Sequence, residues 1–457
     1  VQCASYALEM MSYGGFRSHV IGCLVTNSFL EIAYYDHSAV IMSRAIDFKK
    51  DLRSFIQFLH AFVSGGESVW GYHPILEKPP HGPRNQERAK ERQELARVVC
   101  VDAFENFTLR LNGKTLTLGT TVYQAHGLIG RGTLVVRATM PTGNGNKVVI
   151  VKLSHLPKTR TSESDIIKMI REASCHARPR TDGRIMANHL PYVIDAEVRE
   201  YGLDTPQGRL AEYYKDDNNT YELRALCILV QEELQPITNL TTADELASAF
   251  RDIFEAYRWL CEDVKIMHRD ISINNLMVRH QDGRHYGVLN DFDMAKVNND
   301  LLPTSKQRTG TKPFMARDLL DVHLQIEGNP PPHLYRYDLE SLFYVLVFLT
   351  AHYNNGKEIQ NPPLEQWYNM DTQTLSAMKT ELFERLPPLT PAFESLDTWV
   401  VPMSAMFKNG YHARGLHEIY SRLDKRRGIE PKPFCADTFE GLVTFDTFSA
   451  ILDRALN

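Results

Sequence analysis

Residues 266–276 read IMHRDISINNL, and residues 288–295 read VLNDFDMA. Each stretch sets an acidic residue, Asp270 or Asp291, on a short loop beside an apolar, strand-like run. Asn275 follows Asp270 by five residues. A carboxylate to orient a hydroxyl, with an amide and a second carboxylate to hold Mg²⁺, is the set that phosphoryl transfer needs. Oxygen ligands suit that hard cation, and the cysteines of this chain do not.

Upstream, residues 128–137 read LIGRGTLVVR. Gly130 and Gly132 can let backbone amides approach phosphate oxygens without a side-chain clash. Lys152 ends the apolar run VVIV at 148–151, which fixes an ammonium on a sheet facing the same site. Glu163 and Glu172 of the following helix are both candidates to hold that ammonium. The face of Glu163 borders Ile166 and Ile167, which favours it, while Glu172 is better separated from Lys152 along the chain. Taken singly, a G-x-G is usually a turn and a lone lysine usually surface charge. Their order, spacing and flanking strands point them to one site.

The rest of the chain divides in the same sense. Stretches 18–26, 28–35 and 39–48 are rich in Val, Ile, Phe and Tyr, with Asn27 and Asp36-His37-Ser38 as turns. Leu52, Phe55, Ile56, Leu59 and Val63 recur at helical spacing until Gly65-Gly66. Residues 71–97, with Pro79, Pro80, Pro83 and mixed charges, read as a surface connection that turns helical at its end. Asn112-Gly113 marks a hairpin between strands at 107–111 and 115–118. Strands are expected at 134–139, 147–153 and 190–196, and a helix at 162–177. Beyond Thr242 the pattern turns helical, opened by a Thr242/Glu245 capping box and the stripe Leu246, Phe250, Ile253, Phe254, Tyr257 and Leu260. A sheet-rich half thus precedes a helix-rich one.

Composition excludes several classes. With 457 residues, 43% hydrophobic and 23% charged, the chain is an ordinary globular one and not globally disordered. A net charge of -5 gives no reason to expect nucleic acid or an anionic membrane as partner. The seven cysteines are scattered and never form C-x-x-C, against a disulfide framework or structural zinc and in favour of a reducing, intracellular compartment, cytoplasmic or nuclear. The longest apolar run, 342–351, is too short to span a bilayer, and no signal peptide is visible. The first residue is Val1, and a fragment or processed chain is expected. Lys425-Arg426-Arg427 reads as a solvated basic face.

These residues resemble the eukaryotic protein kinase fold. His268-Arg269-Asp270 with Asn275 is similar to the catalytic loop H-R-D-x-x-x-x-N, and Asp291-Phe292-Asp293 stands where kinases carry D-F-G. Val149-Ile150-Val151-Lys152 is similar to V-A-I-K. The stretch 310–318, GTKPFMARD, resembles the end of an activation segment, with Asp318 at the Glu of A-P-E. Asp338 opens an apolar helix, like the acidic residue that anchors the kinase catalytic loop. HRDIS, DFDMA, RTGTKPFMA, YDLESLFYVL, the RTSE at 160–163 and the YYDHSAVIMS at 34–43 are similar to the fungal-type protein kinase family.

The resemblance implies an α+β, bilobal fold with a sheet-rich N-lobe, a mostly helical C-lobe and an extra N-terminal sheet-and-helix segment. Its division is an N-terminal segment over 1–70, a connection over 71–104, lobes over 105–234 and 235–425, and a tail over 426–457, with insertions near 178–188 and 202–220. It implies an ATP- and Mg²⁺-dependent kinase acting on Ser/Thr hydroxyls of protein substrates. Gly130 and Gly132 would cover the phosphates, and Lys152, held by Glu163, would contact the α and β phosphates. Asn275 and Asp291 would hold Mg²⁺, and Asp270 would accept the proton of the attacking hydroxyl. Residues 231–234, including Glu232 and Leu234, would receive adenine. Thr311 stands where Ser/Thr kinases bond the catalytic Asp, and Arg269 where a phosphate on the activation segment is met, with Thr304, Ser305 and Thr309 as candidate phosphosites.

Four departures mark this chain: Val135 for the third loop glycine, Ser272 for a phosphate-contacting Lys, Asp293 for the Gly of D-F-G, and Arg317 for the Pro of A-P-E. Val135 and Ser272 keep open a pseudokinase used as a binding module. Asp293 keeps open a small-molecule phosphotransferase of the aminoglycoside or choline type, against which Arg269 and the 310–318 segment stand.

Overall fold

In the computed structural model the residues described are 2–13, 16–77, 104–143, 145–176, 185–215, 221–297, 310–320 and 333–456. They form two compact units, Val1–Asp165 with Tyr192–Glu233, and Ile166–Pro191 with Leu234–Asn457. Mixed helices and antiparallel sheets build both.

The first unit begins with helix α1 (Gln2–Tyr13), strands β1 (His19–Thr26), β2 (Phe29–Asp36), β3 (Val40–Met42) and β4 (Ile46–Asp47), and helix α2 (Leu52–Ser64). Asn27 takes a positive φ of 56° at the β1–β2 turn. The single strand expected over 39–48 is two, β3 and β4, both paired with β2. Its break has a local cause. The Ser43 hydroxyl accepts the Ile32 amide at 2.9 Å, replacing a strand carbonyl. Helix α1 was not legible as a helix, although Ala4, Ala7 and Met11 recur on one face and pack on Val20, Ala33 and Tyr35. Asp51 caps α2 by accepting from the Ser54 amide, and Gly65 ends it. Its stripe Leu52, Ile56, Leu59 and Val63 is exposed.

A seven-stranded antiparallel sheet follows, made of β5 (Leu76–Glu77), β6 (Thr108–Leu111), β7 (Lys114–Gln124), β8 (Leu134–Thr142), β9 (Gly145–Pro157), then, beyond helix α3 (Glu163–His176), β10 (Val193–Arg199) and, beyond helix α4 (Pro206–Tyr213), β11 (Arg224–Glu232). Their order is β10-β11-β9-β8-β7-β6-β5. Asn112 and Gly113 both hold positive φ, as a two-residue turn with right-handed strand twist requires. Val149, Val151 and Leu153 of β9 join Leu134, Val136, Leu226 and Ile228 in the core beneath. Alternation then puts Lys152 on the other face of the sheet. The strand expected at 190–196 starts later, at Val193, because Pro191 has no amide to pair and Met186–His189 coil into a tight 3-10 turn. The 202–220 stretch, expected as an insertion, carries α4, capped by Thr205 and opened by Pro206. The connection at 78–103 lies outside the described residues, as do 177–184 and 216–220.

The second unit contains β12 (Gln235–Pro236), α5 (Ala243–Trp259), β13 (Ile266–Met267), the hairpin of β14 (Leu276–Gln281) and β15 (Arg284–Leu289), β16 (Lys296–Val297), α6 (Arg317–Leu320), α7 (Tyr335–His352), β17 (Tyr353–Asn354), β18 (Lys357–Glu358), α8 (Thr372–Glu384), α9 (Asp397–Arg426) and α10 (Phe445–Leu452). The capping box opens α5 with Thr242 and Glu245 bonded in both directions. Helix α7 is buried on every side after its first residue. It therefore shows no stripe. Within residues 426–457, α10 lays Phe448 against Phe254 of α5, ring centroids 5.0 Å apart, and Arg251 donates to the Leu452 carbonyl at 2.6 Å. No helix among the described residues is long and apolar enough to cross a membrane.

Candidate active site

In the second unit, β13 pairs β16, with Ile266 opposite Val297, so the loop after β13 and the loop before β16 begin and end side by side. The Asn290 amide also donates to the Asn275 carbonyl at 2.9 Å, joining the two loops. His268 is fully buried. Its Nε2 lies 2.9 Å from the Asn290 carbonyl, and its ring meets Phe292 edge to face at 5.0 Å.

Arg269 and Asp291 hold φ of 69° and 63°, a left-handed backbone that costs a non-glycine residue energy and is found concentrated at functional sites. The surroundings hold this strain in place. The Arg269 amide donates to Asp338 Oδ2 at 3.0 Å, and the Tyr257 hydroxyl donates to the same oxygen at 2.8 Å. His333 Nε2 stands 3.0 Å from Oδ1. Burial alone would raise the Asp338 pKa, but His333, the Arg269 amide and His268 bring it below the ordinary carboxylate range.

Asp270 is fixed from both sides. Its Oδ1 accepts from the Thr311 amide at 2.8 Å and from the Thr311 hydroxyl at 2.9 Å. Its carbonyl accepts from the Asn275 side-chain amide at 2.7 Å. Desolvation, then the Asp291 carboxylate, raise the Asp270 pKa, against the lowering by His268 and the Thr311 donors. The Asp293 amide donates to Asp291 Oδ1 at 3.3 Å. The Asp291 carboxylate, with the side-chain oxygen of Asn275 on the adjoining loop, offers all-oxygen donors of the kind that take a hard divalent cation. The donor chemistry of the residues present therefore fits Mg²⁺.

The segment after Thr311 rests on buried ionic contacts that were not legible in the sequence. Lys379 of α8 is fully buried, donates to the carbonyls of Pro313 and Met315 at 2.7 and 2.5 Å, and lies 3.7 Å over the Tyr344 ring. Desolvation presses its pKa well below the usual lysine value, with Glu340 opposing. Asp318 accepts from Arg336 at 2.9 Å and Arg414 at 2.7 Å. Glu340 takes the Arg317 amide and the hydroxyls of Tyr344 and Tyr411. Thr304, Ser305 and Thr309 lie outside the described residues.

In the first unit, Lys152 Nζ stands 2.8 Å from Glu163 Oε2, with side chains only 7% and 6% exposed. Of the two glutamates weighed, it is Glu163 that pairs. It opens α3, while Lys152 sits on β9 between Val135 of β8 and Leu229 of β11. Such a pair needs both members, because removing one strands a buried charge. Gly130 and Gly132 lie on the β7–β8 loop with φ of 127° and 52°. Glu232 ends β11 and its carboxylate accepts the Tyr192 amide at 2.9 Å. Leu234, buried, is the first residue of this stretch in the second unit.

A buried lysine–glutamate pair on an antiparallel sheet, and an aspartate-bearing loop bonded to a downstream threonine, are parts of the protein kinase class of phosphotransferases. The family model for fungal protein kinase matches residues 1–350, and the chain belongs to that family. That match takes in α1 and the strands β1 to β4, and it ends within α7. No curated protein matches the chain.

Proposed function

We propose that this chain is an ATP- and Mg²⁺-dependent protein kinase that transfers the γ-phosphoryl group to Ser or Thr hydroxyls of proteins. The observation that carries this reading is the pair of hydrogen bonds that the Thr311 amide and hydroxyl donate to the Asp270 carboxylate. It ties the base to the segment that, in kinases, lies under the acceptor peptide, and a threonine there accords with Ser/Thr acceptors. In this reading the sheet-rich unit serves as the nucleotide lobe and the helical unit as the acceptor lobe.

Each residue then has a role. Lys152, oriented by Glu163, meets the α and β phosphates. Asp270 orients the attacking hydroxyl and takes its proton, and the Thr311 bonds keep its free oxygen aimed at the acceptor. Asn275 and Asp291 are the residues that would hold Mg²⁺, which when bound offsets charge on the transferring phosphoryl group. Glu232 and Leu234 border adenine, and Gly130 and Gly132 cover the phosphates. Arg269 is the candidate partner of an activating phosphate. Buried Asp293 brings a carboxylate oxygen within 4.8 Å of one of Asp291, where a kinase of the common type carries a glycine.

A trial of acceptors tests the class. Label from [γ-³²P]ATP is expected in a serine/threonine peptide library and not in aminoglycosides or choline. Transfer to the small molecules alone would overturn the assignment. Replacing Glu163 with Gln should lower kcat/KM by about 10²-fold, the scale of lost positioning, measured by steady-state kinetics.

Acidity gives a further expectation. Asp270 must be ionised to accept a proton, and its pKa is raised. The rate should therefore fall, on acidification, at a higher pH than the ordinary aspartate value of about 4. A kcat/KM–pH profile flat down to that value would contradict the burial and Asp291 contributions.

A further inference from the structure

The β7–β8 glycine loop is held by the N-terminal segment. The Gly130 amide donates to the His37 carbonyl at 2.9 Å, and the His155 amide donates to the Arg131 carbonyl at 2.7 Å. Gly132 is more tightly constrained. A Cβ at that position would fall 2.1 Å from Cε1 of the His37 imidazole. Glycine at 132 is therefore required by the histidine, whatever a phosphate also asks of the loop.

The turn that presents His37 is firmly built. Asp36 Oδ1 accepts from the amides of Ser38 and Ala39 at 2.7 and 2.8 Å, an Asx turn. Its Oδ2 accepts from the hydroxyls of Tyr34 and Tyr221. The Ser38 hydroxyl donates to the Glu222 carbonyl at 2.6 Å. The His37 ring then stacks on His155, centroids 4.1 Å apart, and His155 Nε2 lies 3.1 Å from the Tyr201 hydroxyl. Desolvation brings the His37 pKa down to about 4 and that of His155 well below its usual value. Both rings are neutral at physiological pH and pack as flat aromatic bodies.

We propose that His37 is a positioning residue for the nucleotide: it pins the glycine loop so that the loop meets the ATP phosphates already ordered. This rests on the kinase reading above. It gives residues 1–70 a part in ATP binding, and it gives the loop, which carries Val135 in place of a third glycine, another source of definition. Because a preformed loop loses less freedom on binding, the effect falls on nucleotide affinity and not on the chemical step.

The full-length chain tests this through nucleotide kinetics and hydrogen exchange. His37→Ala is expected to raise KM for ATP about tenfold with kcat unchanged, a loss of binding shared by ground and transition states. Amide exchange over residues 127–133 should quicken, with β8 and β9 still protected. His37→Phe, which keeps a flat ring against His155, should restore most of both. Gly132→Ala, which drives a methyl into the imidazole, should raise KM as well. Wild-type KM and wild-type loop exchange in His37→Ala would overturn the proposal. So would loss of protection throughout the sheet with KM unmoved, which marks a merely structural role. A wild-type chain that neither binds nor turns over Mg-ATP overturns the kinase reading itself, and the positioning role with it.

Discussion

Asp270→Asn is expected to lower phosphoryl transfer by about 10³-fold, within the range for removing a positioned general base. The amide keeps the carboxylate's size and an oxygen for the Thr311 amide and hydroxyl, so the loop should keep its shape. Its charge is what is lost. Because desolvation and Asp291 raise the Asp270 pKa, the ionised form is worse placed in the fold than in the unfolded chain. Neutralising it should leave thermal stability equal to or above that of the wild type. Dead enzyme with undiminished stability is thus the expected pair of results, read by radiolabel transfer and by thermal unfolding. Retained turnover would remove Asp270 from the role given to it.

Asp318→Ala should be among the most destabilising single changes in the helical unit. Asp318 accepts from Arg336, whose side chain is 1% exposed, and from Arg414. Truncating it leaves a buried guanidinium short of its carboxylate, a loss of about 3–5 kcal/mol. Glu340, 3.8 Å from Arg336, offsets only part of that. The pH dependence follows from the same contacts. Burial opposes ionisation of Asp318, but Arg414 and Arg336 hold its pKa below the ordinary value. A depressed folded pKa contributes stability above the unfolded pKa and loses it as pH falls through the folded one. Urea unfolding of wild type and variant, at neutral pH and in acid, reads both effects. A change under about 1 kcal/mol, typical of an exposed pair, would contradict the network.

Much of the candidate site is written locally. The stretches around Asp270 and Asp291 carry their spacing within a few residues, and Asn112-Gly113 and Thr242/Glu245 set a turn and a helix start by their own backbone preferences. What was not legible depends on contacts far along the chain. Arg336, Glu340 and Lys379 are charged residues that a sequence reading places in solvent, and they are buried because they find one another, backbone carbonyls and aromatic faces. His37 lay within a recognised stretch, yet nothing near it in sequence names Gly132 or His155 as its neighbours. Helix α1 was missed because its apolar face is short and its partners are the strands that follow.

Every role given to Lys152, Asp270, Asn275 and Asp291 depends on phosphoryl transfer from ATP to a hydroxyl. The purified chain is given Mg-ATP labelled at the γ position and a serine/threonine peptide library, and the acid-stable phosphoamino acids are resolved. Phosphoserine or phosphothreonine is expected, and it should disappear with Asp270→Asn. Nucleotide binding with no label transferred by the wild type would contradict these roles, and would leave a chain that keeps the kinase fold as a binding module.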